Sequence, residues 1–118
     1  MQRRHRLSRS RDFEAVYRHG TSVSTRYLVL HSFPRSEDAD APPRLGLAVP
    51  KAVGNAVTRN RVKRLLREAW RGLLDELPSG RDYVLSARPG IAEPLAARGH
   101  EWLAAELGEI LRKAELGR

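Results

Sequence analysis

The segment from Gly54 to Arg71 constrains the fold more than any other part of the chain. Val62, Leu65, Leu66, Ala69, Leu73 and Leu77 recur at i, i+3, i+4 and i+7, the period of a helix with one buried face. This rhythm predicts a helix from Val57 to Leu77, with Gly54-Asn55 as the preceding turn, Asn55 as a cap and Pro78-Ser79-Gly80 as the stop. At about 100° per residue, Asn60, Arg64, Arg67 and Arg71 gather on the opposite face, flanked by Arg61 and Lys63. Arg59 and, just upstream, Lys51 add to the charge, and Glu68 is the single acid of the segment. A helix anchored in a core and this basic presents positive charge in a fixed geometry. A phosphate backbone is the partner that such a surface fits.

The charge is uneven along the chain. The net +8 comes from +6 in residues 1–36, −3 in 37–43, +7 in 44–71 and −2 in 72–118. Two segments therefore supply the basic character, and a fold that brings them to one side makes a strong patch. At 118 residues and 41% hydrophobic, the chain suits one small domain with a modest core. It has no cysteine, which excludes disulfides and thiolate metal sites. No apolar run approaches the roughly 18 residues of a membrane span, and no apolar h-region follows the basic start. The expected address is cytoplasmic, without a membrane partner.

The remaining elements follow from local signals. Residues 1–9 read as a flexible basic arm. Ser10 caps a short helix carrying Phe13, Val16 and Tyr17, and Gly20 closes it. Thr21 to Phe33 is rich in β-branched and aromatic residues and predicts strand, broken near Ser24–Arg26. Residues 35–43 form a mobile acidic loop, and Arg44 to Val49 is the next strand, ended by Pro50. Asp82 to Ala87 predicts a fourth strand and Arg88-Pro89-Gly90 a turn. A last helix has Pro94 in its first turn, an interruption at Gly99, and Trp102, Leu103, Leu107, Ile110 and Leu111 as its apolar stripe. The order, helix, three strands, helix, strand, helix, predicts an α+β sandwich with helices packed on one small sheet.

The run from Arg44 to Glu68, with Lys51, Gly54, Arg59-Asn60-Arg61, Lys63-Arg64 and Arg67-Glu68, resembles the signature of the bacterial ribonuclease P protein subunit family. Arg6-Leu7, Asp12-Phe13, Val16-Tyr17 and Gly20 resemble that family's first helix, and Gly80 to Pro89 its last strand and turn. The resemblance implies one domain over residues 1–118, an αβββαβα sandwich with a four-stranded sheet and a left-handed βαβ crossover. It implies a subunit of an endoribonuclease that removes the 5′ leader of precursor tRNA. In that enzyme the RNA subunit carries the catalysis and needs divalent cations such as Mg, so no catalytic residue and no firmly bound metal or cofactor is expected in the protein. The implied partners are the RNA subunit, in a 1:1 complex with a monomeric protein, and precursor tRNA.

Residue by residue, the resemblance carries RNA contact onto Arg59, Asn60, Arg61, Lys63, Arg64 and Arg67. Lys51 and Arg71 join them by position. It carries leader contact onto Phe13 and Tyr17, in a cleft between a sheet face and the central helix. His31 stands where the family often has an aromatic residue on the second strand. Pro50 and Ala52 depart from the Ser and Lys common around Lys51, which leaves that loop stiffer and one charge poorer. Phe13 and Tyr17 at i, i+4 also fit a core edge, and basic helix faces are often merely solvated. A generic RNA- or ribosome-binding module with the same helix is the alternative function. A nuclease using two histidines would need a pair in one cleft, but His5, His19, His31 and His100 are scattered without ligand spacing.

Overall fold

The computed structural model describes residues 20–34, 42–73 and 77–114. Four strands form one sheet: β1 (Thr21–Ser24), β2 (Leu28–Pro34), β3 (Arg44–Ala48) and β4 (Arg81–Ala87), in the order β1-β2-β4-β3. The break expected near Ser24–Arg26 is a tight turn closed by the Thr25 N–H donating to the Leu28 carbonyl at 2.9 Å. β1 and β2 pair antiparallel, as do β2 and β4, while β3 and β4 are parallel. The parallel pair is joined through a long helix, α1 (Ala56–Arg71), and a second helix, α2 (Ala92–Lys113), follows β4. The short helix expected around Phe13 and Tyr17, the basic arm and most of the acidic loop lie outside the described residues.

Strand alternation divides the sheet into two faces. Val23, Leu28, Leu30, Leu45, Leu47, Tyr83, Leu85 and Ala87 share one face by register. This face joins Val62, Leu66, Ala69 and Trp70 of α1 and Leu95, Leu103, Leu107, Ile110 and Leu111 of α2 in a single core. Trp70 is its largest member, fully buried, with its ring edge-on to Tyr83 at 5.3 Å. The opposite face carries Val29, His31, Phe33, Val84, Ala48, and the bidentate pair of Arg44 and Asp82 at 2.8 and 2.7 Å. β4 is buried on both faces, as a central strand must be.

α1 ends at Arg71 rather than at the expected Leu77. Gly72 terminates it, and the Leu73 N–H folds back to the Trp70 carbonyl at 2.8 Å, tightening the end into a turn. Leu73 and Leu77 still pack on the core, so the apolar rhythm continues past the helix that began it. Lys51–Val53, in the loop between the strand ended by Pro50 and the Gly54-Asn55 turn, forms one turn of 3-10 helix. The interruption at Gly99 is present: its φ of 75° and ψ of −157° kink α2 after Arg98.

Candidate nucleic-acid interface

α1 starts where the chain leaves the parallel edge strand. The Asn55 side chain accepts from the Thr58 N–H at 2.9 Å, a standard N-cap. Gly54 must lack a side chain here, because a Cβ would stand 2.9 Å from the Thr58 methyl. Sequence reasoning read Gly54 only as a turn residue, since the approach to Thr58 is visible only once the helix start is placed.

From this start the helix turns its cations outward. Asn60, Arg61, Arg64 and Arg71 are exposed, while Lys63 and Arg67 are half-buried at the flanks. Lys51 is exposed in the 3-10 turn before the helix. Among the described residues, no acid pairs with these cations. The first turn holds no acid either, so the positive end of the helix dipole adds to the side-chain charge. Arg59 behaves differently. It lies toward the buried side, and its guanidinium donates to the Gly54 carbonyl at 3.2 Å. It braces the loop that carries Lys51 as well as adding charge.

His31 does not join this surface. Register places it opposite Ser22 and Val84, on the sheet face turned away from the core that holds α1. The expected cleft between a sheet face and the central helix is therefore not framed by His31 and α1, because alternation along β2 sends Leu30 and Ser32 to the helix side and His31 to the other. Partial burial lowers the His31 pKa from its usual 6.5, which favours a neutral imidazole. Phe13 and Tyr17 lie outside the described residues.

Other perturbed groups do not converge on a reactive centre. Burial raises the Tyr83 hydroxyl. The nearby Arg81 guanidinium opposes the rise by its charge and an N–H directed at the oxygen, without reaching hydrogen-bond geometry. Glu106, on α2, is raised by desolvation and by Glu109, with Arg98 opposing. Among the described residues, no three His, Cys, Asp or Glu side chains gather where a metal could bind, and no helix is long and apolar enough to cross a membrane.

Comparison with known proteins bears on the same chain. The family described as Ribonuclease P matches residues 1–115. A Brevibacillus brevis ribonuclease P protein component is 44% identical over 91 residues, covering 77% of this chain and 71% of the relative. One from Bacillus cereus is 34% identical over 118 residues, covering 100% and 97%. Among solved structures, the Staphylococcus aureus RNase P protein superposes with a TM-score of 0.81 at 28% identity, covering 97% of this chain and 98% of that one. The Thermotoga maritima RNase P protein gives 0.80 at 29% identity, covering 93% and 97%. With its mixed four-stranded sheet and its basic helix, the chain belongs to the ribonuclease P protein family.

Proposed function

We propose that this protein binds the catalytic RNA of ribonuclease P through α1 and the 5′ leader of precursor tRNA through the sheet face carrying His31. The single observation behind the first assignment is the outward cationic face, without an acid partner among the described residues, of a helix whose other face is locked in the core. Such a face grips phosphates without reading sequence, which suits an enzyme that processes many precursor tRNAs. Arg64, Arg67 and Arg71 present forked donors able to hold two phosphate oxygens each. Asn60, exposed among them, offers both a donor and an acceptor, which matches a ribose 2′-hydroxyl.

For the leader, Phe13 and Tyr17 are assigned by family likeness, and His31 supplies a neutral ring able to stack on a base. Catalysis is assigned to the RNA, together with the divalent cations, Mg among them, that the holoenzyme uses. One protein then serves one RNA, and the product is the mature tRNA 5′ end.

Reconstitution tests this reading. The protein is added to a bacterial ribonuclease P RNA at a magnesium concentration too low for the RNA alone. Cleavage of precursor tRNA at the mature 5′ end is expected only with both present. Cleavage by the protein alone, or no gain over RNA alone, refutes it. Recovery of ribosomal RNA in place of one dominant RNA on purification would favour the generic module.

A further inference from the structure

The cations of α1 are not the only ones at their end of the sheet. β3 and β4 run parallel, and β2 begins opposite the end of β4. The β1–β2 turn, the loop before α1 and the turn before α2 therefore all meet at one edge of the molecule. Arg26 stands on the first, Lys51 on the second and Arg88 on the third, all exposed. Both helix N-termini open there as well, and that of α2 has no side-chain cap.

Two grooves run across this end and share Glu93. The smaller, about 290 Å³, lies between Thr58 and Arg61 of α1 and Ala92 and Ala96 of α2. The larger, about 560 Å³, lies between Arg26 and Tyr27 on one side and Pro94 and Arg98 on the other. That volume falls within the range of small-ligand pockets, roughly 300–1,000 Å³. Tyr27 is fixed by its edge-on contact with Trp102 at 5.1 Å, and Arg26 lies over its ring at 5.4 Å. Arg88 is held by donating to the Thr25 carbonyl at 3.1 Å. Arg26, Arg88 and Arg98 pair with no acid among the described residues. The opposing charges among the described residues include Glu93 between the grooves, Glu101 one turn beyond Arg98 and Glu106 two turns beyond it.

We infer that this second groove is an RNA-binding site, which extends the α1 surface across the end of the sheet to Arg26, Arg88 and Arg98. The inference rests on the proposed RNA-binding function of α1. The ligand is a strand of the RNA subunit, its phosphates on Arg98 and Arg88 and one base against the Arg26–Tyr27 pair. The subunit is favoured over the leader because the groove is walled by α2 and meets, at Glu93, the smaller groove that borders α1. His31 occupies the other face of the sheet.

The test is binding of the full chain to an in-vitro transcript of bacterial ribonuclease P RNA from 0.1 to 0.6 M salt. Each single-strand phosphate contact contributes about 0.7 to the slope of log affinity against log salt. R26A/R98A should lower that slope by about 0.7, the share of the Arg98 phosphate, and weaken binding at least roughly fivefold near 0.1 M salt. Glu93→Gln, which removes the acid between the grooves, should tighten binding at least twofold, a gain that misfolding cannot produce. Unchanged binding by R26A/R98A, with R64A/R71A weakened, overturns the inference and leaves the α1 reading standing. Unchanged binding by both double variants defeats the α1 reading itself and the inference with it. Weaker binding by Glu93→Gln overturns the inference. So does an R26A/R98A loss confined to precursor tRNA affinity of the assembled enzyme.

Discussion

Arg67→Gln should stabilise the free protein and weaken its RNA complex. Arg67 has three like-charged neighbours at helical spacing: Lys63 at i−4, Arg64 at i−3 and Arg71 at i+4. Each such pair destabilises a helix by about 0.2–0.5 kcal/mol, so the three together cost about 0.6–1.5 kcal/mol. Glutamine has nearly the same helix propensity as arginine and keeps part of the stem that packs at this half-buried flank. For a domain of this size, the melting temperature should rise by roughly 2–6 °C. The assay is thermal melting at about 0.05 M and 1 M salt, where the Debye length shrinks from more than 10 Å to about 3 Å and the gain should largely vanish. In parallel, affinity for ribonuclease P RNA should fall about fivefold near 0.1 M salt, the share of one phosphate contact. A loss of stability at low salt, or a gain that persists at 1 M, refutes the repulsion argument. Unchanged RNA affinity refutes the functional reason for tolerating it.

Gly54→Ala should lower the melting temperature by a few degrees and weaken RNA binding several-fold, because the new methyl meets Thr58 at 2.9 Å and displaces the loop carrying Lys51. Adding Thr58→Gly removes both the methyl at 2.9 Å and the Cβ at 3.0 Å and should recover RNA binding, apart from the helix cost of the new glycine; failure of that recovery assigns the effect to something other than the contact. His31 predicts a pH dependence. Its folded pKa is below 6.5, so as pH falls below about 6.5 the unfolded chain takes up a proton that the folded one resists, and stability drops until the folded pKa is passed. The wild type should therefore lose more stability than His31→Gln between pH 7.5 and 5.5 in urea melts, and an equal or smaller loss contradicts the lowered pKa.

The elements of this fold were legible where a pattern is local. The 3.6-residue rhythm of Val62, Leu66 and Ala69 found α1, Asn55 found its cap, and Gly99 marked the kink in α2. The end of α1 was misread because Leu73 and Leu77 keep the apolar period while packing from a turn and a bend. Periodicity reports which residues face the core, not whether the backbone between them remains helical. The site was legible in the same partial sense. The cationic face of α1 follows from residue spacing alone. The side of the sheet on which His31 falls depends on pairing with β4, some fifty residues away. Arg59 could be counted as a cation from sequence, but its bond to the Gly54 carbonyl depends on how the loop folds back.

The energetics of α1 explain why its charge and its core contacts must be read together. Residues 56–71 carry six cations against Glu68, with no acid in the first turn to meet the helix dipole. A free peptide of this sequence would be a poor helix, since repulsive pairs outnumber attractive ones and sixteen residues barely exceed the length at which helices become marginal. The helix is held instead by Val62, Leu66, Ala69 and the fully buried Trp70, each of which removes apolar surface from water. Burial of that face supplies the stability that the outer face spends. Phosphates arriving on the outer face remove the repulsion while leaving the buried contacts intact. On the proposed function, RNA binding and folding stability are coupled through the same residues, and the complex should be more stable by RT ln(1 + [RNA]/Kd) than the protein alone. A neutral helix with the same apolar stripe would fold as well or better, but it would have no such coupling and no reason to bind RNA.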